Sequence, residues 1–245
     1  MTYKIIVPIS GGKDSQACLK LALQDYKTNE ILGLFCDTQF EHPITYAHIK
    51  KISEIYGVKI KTVCAGSVPE QIIKNNMFPN SISRFCTDSL KIQPSKKFYN
   101  ELSKEQGGFE VWLGMRAGES GKRARRYKNI VDSEIYAPHD VLSSYPKYLE
   151  NQGVSFRLPI INWTFDDVIE FLGDEINPLY TANKGLDRVG CFPCLATSPK
   201  NQARHFNFDD FGKQQRVIVM QLEQKIGNKS KCQDDLFSGC AICSM

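Results

Sequence analysis

An apolar run at residues 3–9 breaks into Ser10-Gly-Gly-Lys-Asp-Ser15, and behind it Ala17, Cys18, Leu21 and Ala22 recur at helical spacing. A strand that turns through glycines directly into a helix leaves the chain few folds to choose from. The alternation continues with an apolar run at 31–36, a helix-like stretch through Tyr46, Ile49, Ile52 and Ile55, and a third strand candidate at 58–63. Strands joined through helices at this interval call for crossover connections. The expected class is therefore α/β, a doubly wound parallel sheet with helices on both faces.

Composition agrees with one large folded unit: 245 residues, 42% hydrophobic and 24% charged, with no linker tract or repeat. Thirty-one Lys and Arg against 27 Asp and Glu leave a net charge of +4, too little for bulk attraction to nucleic acid. Any such partner has to be argued from a local patch. The first apolar run is too short for a signal peptide and no later stretch reaches bilayer-spanning length, so a cytoplasmic protein is expected. Nine cysteines in such a compartment point to metal or redox chemistry rather than disulfides.

Further along, 109–113 reads as a buried strand and the Arg- and Lys-rich stretch 115–131 as a long functional loop. Residues 157–163 return to the core. Thr164 with Asp167 three residues on marks a helix start running to Leu172. A late helix at 209–226 carries Phe211, Ile218, Leu222 and Ile226 on one face. The chain ends in Gly239-Cys-Ala-Ile-Cys-Ser-Met245.

A strand–loop–helix turn presents backbone N–H groups to an anion, and glycine lets phosphate oxygens come close. Ser10–Ser15 has that form but lacks the spacing of the mononucleotide P-loop. It resembles the pyrophosphate-binding loop of the adenine nucleotide α-hydrolase (PP-loop) superfamily, and within it the chain is similar to the phosphoadenosine phosphosulfate (PAPS) reductase family. The likeness continues through Asp37-Thr-Gln-Phe-Glu-His-Pro-Ile-Thr45, with Gln39 where the family has Gly, and Arg84-Phe-Cys-Thr-Asp-Ser-Leu-Lys91. It further covers Gly114-Met-Arg-Ala-Gly-Glu-Ser120, Pro159 to Trp163, Asn177-Pro-Leu-Tyr180 and Arg188-Val-Gly-Cys-Phe-Pro-Cys194.

The resemblance implies a PP-loop nucleotide-binding α/β domain over 1–165 and a helical, cysteine-bearing C-terminal extension over 166–245. It implies ATP with Mg²⁺ as the ligand. Ser10, Gly11, Gly12 and Ser15 would cradle the β- and γ-phosphates, Lys13 would neutralise the leaving pyrophosphate, and Asp14 would position the metal. Asp37 and Thr38 would lie near the adenosine, and Gly114, Arg116 and Glu119 would belong to a closing loop. The reductases of the family degrade the loop lysine, whereas Lys13 is intact, so the chain leans toward enzymes that adenylate an oxygen and then displace AMP. Lys13 is expected to be an exposed loop residue whose removal leaves the fold untouched.

Cys191-Phe-Pro-Cys194 and Cys240-Ala-Ile-Cys243 are two C-x2-C pairs, a pattern that suits Zn²⁺. The resemblance offers a second reading, a [4Fe-4S] cluster held by Cys86, Cys191, Cys194 and one of Cys240 or Cys243. Cys18, Cys36 and Cys64 are expected in the core. Lys122, Arg123, Arg125, Arg126 and Lys128 form a basic run that serves either nucleotide phosphates or a nucleic-acid backbone. The first functional reading is an ATP pyrophosphatase supporting sulfur transfer, with nucleic acid as acceptor, a sulfur-donor protein as partner and a homodimer as a family trait. A reductase releasing sulfite and a non-enzymatic nucleotide-binding module with structural zinc are the alternatives.

Overall fold

The computed structural model describes residues 2–80, 82–182 and 185–227. Its centre is a six-stranded sheet in the order β3-β2-β1-β4-β6-β5, with β1 Ile5–Ile9, β2 Ile31–Asp37, β3 Lys59–Cys64, β4 Phe109–Trp112, β5 Ile135–Tyr136 and β6 Val154–Arg157. β1 pairs in parallel with β2 on one side and β4 on the other, Ile6 standing opposite both Leu32 and Val111. β2–β3 and β4–β6 are also parallel, and the edge strand β5 runs antiparallel to β6. The chain therefore winds outward from β1 in one direction through β3, then returns to wind in the other. The strand order reverses between β1 and β4, where an open α/β sheet leaves a crevice at its carboxyl ends.

β1 is buried on both faces, which is why it reads as a continuous apolar run rather than an alternating one. Ile6 packs with Leu32, Leu34, Phe109, Val111, Tyr99 and Phe156 on one face. Ile5, Val7 and Ile9 pack on the other with Leu19 and Ala22 of α1 Lys13–Asp25 and with Ile49 and Ile52 of α2 Pro43–Tyr56. Burying each such aliphatic side chain stabilises the fold by about 1.5–3 kcal/mol. Helices on both faces make the sheet doubly wound, as expected from the sequence.

Several local expectations are corrected. The stretch 115–131 is not a plain loop: it holds a 3₁₀ turn Ala117–Glu119 and a helix Gly121–Arg126, whose Arg123 amide donates to the Ser120 hydroxyl at 3.2 Å. Charge density had masked that capping residue. In the late helix, Asp210–Lys225, the buried face carries Gly212, Gln215, Val219 and Leu222, while Ile218 is exposed, so the face is turned by about one residue. Cys18 is buried and Cys36 half-buried, but Cys64 is exposed because it ends the edge strand β3, most of which faces solvent. β5, β6 and the helical run over 85–106, which contains a π-turn at Asp88–Ile92, carried no signal that was read from sequence. Among the described residues no helix is long and apolar enough to cross a membrane.

Candidate nucleotide and thiol site

The loop after β1 is cross-linked before any ligand arrives. The Ser10 amide donates to Ser15 Oγ at 3.2 Å, the two hydroxyls lie 3.2 Å apart, and Ser15 Oγ donates to the Gly12 carbonyl at 2.9 Å. Gly11 has φ +70°, and a Cβ there would collide with Thr45 Cγ2 of α2, so glycine is required on both counts. Gly12 is the N-cap of α1 and offers no side chain to the helix end, leaving it to serve an anion. From the segment after residue 172, Asn177 donates to the Gly11 carbonyl at 2.9 Å, the Lys13 amide donates to the Tyr180 hydroxyl at 3.2 Å, and Gln16 donates to the Glu175 carbonyl at 2.8 Å. Asn177 is fully buried and its own oxygen accepts from the Leu179 amide at 3.0 Å.

Charge gathers at the first turn of α1. Asp14 accepts from Lys13 Nζ at 2.9 and 3.0 Å and from Arg116 Nε at 2.6 Å. Lys13, expected to be exposed, is only 2% exposed. The reason is tertiary: its ammonium lies 4.6 Å from the Phe165 ring and 5.8 Å from that of Tyr180. Burial pushes Lys13 below the usual lysine range, with Asp14 pulling the other way. Burial likewise pushes the Tyr180 hydroxyl up to about 12. Gly114 brings the end of β4 against this turn, where an added Cβ would sit 2.8 Å from the Asp14 carbonyl.

One cavity of about 970 Å³ runs from this turn to the cysteines. Its phosphate end is lined by Ser10, Gly12, Lys13, Asp14, Ser15, Gly114, Arg116 and Glu119, and its far end by Cys86, Cys191 and Cys194 beside Lys91. Thr38 lines it; Asp37 does not, its carboxylate instead accepting from the Gln39 amide and the Tyr46 hydroxyl, each at 2.8 Å. Cys191 Sγ lies 3.3 Å from Thr38 Oγ1 and 3.8 Å from Glu41 Oε1, and Glu41 also accepts from Thr38 at 2.7 Å and from Tyr46 at 3.1 Å. Cys191 and buried Glu41 raise the Lys91 ammonium further, burial working against them. Burial holds the Cys86 and Cys191 thiols above the ordinary cysteine range.

The three cysteines share one wall, yet Cys191 is turned toward Thr38 and Glu41. Among the described residues no three Cys, His, Asp or Glu side chains gather as metal ligands. Cys240 and Cys243 lie outside the described residues, as does Cys232. Of the basic run, Arg123 pairs with Glu119 at 2.6 Å and lines the cavity, and Arg126 donates to the Val141 carbonyl at 3.1 Å. Lys122, Arg125 and Lys128 are exposed and do not line it. Sequence reasoning missed Glu41, the loop contact of Asn177, and Phe165. The signals present were an acidic residue inside Asp37–Thr45, an Asn-Pro turn, and an aromatic directly after a helix cap.

The family model for the phosphoadenosine phosphosulfate reductase domain matches residues 4–197. An uncharacterized protein of Methanocaldococcus jannaschii is 30% identical over 78% of this chain and 36% of its own length, so the chain spans about a third of that relative. An uncharacterized 37.8 kDa protein of Escherichia phage 186 is 26% identical over 82% of this chain and 70% of its own. In fold, the chain is similar to the PAPS reductase of Candida auris solved as a phosphate complex, with TM-score 0.53 and 17% identity over 79% of this chain and 83% of that one. With the family model spanning the loop after β1, the end of β4 and the Cys191–Cys194 segment, this chain belongs to the phosphoadenosine phosphosulfate reductase family.

Proposed function

We propose that the protein is an ATP pyrophosphatase that adenylates an acceptor oxygen and passes it to a sulfur nucleophile. The single observation that carries this reading is Lys13, an intact lysine buried at the start of α1 beside Asp14 and Arg116. An acceptor oxygen attacks the α-phosphorus of ATP, forming an O–P bond while the bond from that phosphorus to the bridging oxygen breaks. Pyrophosphate leaves with the electron pair. Lys13 and Arg116, both buried, offset the charge that grows on it, and their burial makes the interaction correspondingly strong. Mg²⁺, when bound with ATP, would meet the Asp14 carboxylate and share that task. A sulfur nucleophile then attacks the adenylated centre and AMP departs.

The cysteine end of the cavity suits the second half of this chemistry. Cys86, Cys191 and Cys194 are proposed as the sulfur-handling residues, whether as thiols or, with Cys240 or Cys243, as ligands of a cluster. Nucleic acid is the proposed acceptor, its backbone met by Lys122, Arg125 and Lys128. A sulfite-releasing reductase is the second reading, supported by the family; an intact Lys13 weighs against it, because that reaction has no pyrophosphate to release. Replacing Lys13 by Met, which keeps the apolar stem, is expected to lower AMP and pyrophosphate formation from ATP about 10²–10³-fold. Undiminished pyrophosphate release in that variant would end the adenylation reading, and sulfite release by the native protein would establish the reductase.

A further inference from the structure

We propose that Phe165 is a positioning residue for Lys13, an aromatic cover that keeps water from the phosphate end of the cavity and holds the ammonium group at the leaving pyrophosphate. The inference rests on the ATP-cleavage reading of the same site. A lysine at the mouth of a cavity ordinarily extends its ammonium into water. Lys13 does not: its ammonium has the Asp14 carboxylate on it and two rings over it. Tyr180 has a place of its own in the core and a hydroxyl that accepts from the Lys13 amide. Phe165 has neither.

Phe165 is 43% exposed, and it belongs to none of the hydrophobic clusters of the described residues. The Lys13 ammonium lies 4.6 Å from its ring centroid. A half-exposed phenyl ring at this place is not explained by packing. Its position is nevertheless rigid. Phe165 opens the helix Phe165–Leu172, whose first turn is locked by a reciprocal pair: the Thr164 amide donates to Asp167 at 2.7 Å and the Asp167 amide to Thr164 at 3.1 Å. Val168 and Leu172 pack on Ala17 of α1, and Phe171 stands edge-on to Trp163 with centroids 5.1 Å apart. The first turns of the two helices are thus held together with the ring over the amine.

A π-face turned to an ammonium attracts it without accepting a hydrogen bond, so the ring takes no donor beyond those that Asp14 already engages. Exclusion of water strengthens their pull on an anion. The residue acts through Lys13 and touches no reacting atom, so its loss falls on kcat more than on KM.

The test combines acetic anhydride labelling of the full chain, Lys13 acetylation being read by mass spectrometry against exposed Lys50, with steady-state pyrophosphate release. Phe165→Ala is expected to raise Lys13 labelling several-fold and to lower kcat about tenfold with KM for ATP nearly unchanged. Phe165→Tyr is expected to restore both. Equal Lys13 labelling in the native and Phe165→Ala proteins overturns the cover, whatever the activity. Increased labelling in Phe165→Ala, with no ATP cleavage by the native protein, supports the cover and removes the ATP reading instead.

Discussion

The two ends of the cavity are built to different standards. At the phosphate end the loop, α1 and the 175–180 segment are joined by nitrogen and oxygen hydrogen bonds, with Asn177 on Gly11 at 2.9 Å and Arg116 on Asp14 at 2.6 Å. At the cysteine end Cys191 meets Thr38 and Glu41 through sulfur at 3.3 and 3.8 Å, and among the described residues the three thiols do not gather as metal ligands. The first is a cross-linked loop whose charged groups are already paired, Lys13 and Arg116 both donating to Asp14. The second is a set of thiols beside Lys91 and Glu41 that do not converge on one point, so among the described residues its chemistry is not assembled in advance. In the function proposed above, one chamber joins a densely hydrogen-bonded half for the nucleotide to a more loosely bonded half for sulfur.

The contrast can be broken most directly at Asn177. Asn177→Ala removes a buried donor and acceptor together and leaves the Gly11 carbonyl and the Leu179 amide without partners. It is expected to cost about 1–3 kcal/mol in urea unfolding and to weaken ATP binding measured by calorimetry. A variant as stable as the native chain would mean that the loop does not depend on this clamp.

A smaller effect sharpens the same side. His48 Nε2 bonds Gln16 Oε1 at 2.8 Å behind the loop, and burial lowers its pKa to about 4. The unfolded chain takes up that proton near 6.5 and the folded chain only near 4. His48 therefore adds nothing to the pH dependence above 6.5, and stability falls as pH drops from 6.5 toward 4. His48→Gln should flatten the change in urea midpoint between pH 7 and pH 5. An unchanged slope would show that His48 does not carry it.

The smallest expected effect lies at the other end. Cys191→Ser and Cys194→Ser should leave ATP binding within about twofold and unfolding within about 1 kcal/mol, because neither thiol supports the cradle. The anaerobically purified native protein makes the comparison sharper. A brown, oxygen-sensitive chromophore lost in both variants and in Cys86→Ala would identify a cluster, while a colourless protein with zinc lost equally on changing Cys191, Cys194, Cys240 or Cys243 would identify the paired site. A fall in ATP affinity beyond tenfold in either serine variant would erase the distinction between the two ends.

Much of the rigid half was legible because its geometry is local. The Ser10–Ser15 turn follows from an apolar strand, glycines and a helical period within twenty residues, and Thr164 with Asp167 announced a helix that begins at Phe165. Signals of longer range were not legible. Nothing near Lys13 in the chain says that Phe165 and Tyr180 will enclose it, and nothing near Cys191 says that Glu41 will lie beside it. Cys64 misled for a related reason: an apolar strand pattern does not reveal that the strand stands at an edge.

By itself, then, the sequence determined the doubly wound class, the loop that opens α1 and the family motifs, because period, turn chemistry and capping act over a few neighbouring residues. Only the tertiary structure decided that Lys13 is buried, that Asn177 and Tyr180 brace the loop from more than 160 positions away, and that the cysteines share a cavity with it. Burial and partnership depend on which elements the sheet order brings together. Exposure and the protonation of a side chain are consequences of that packing rather than of its neighbours in sequence.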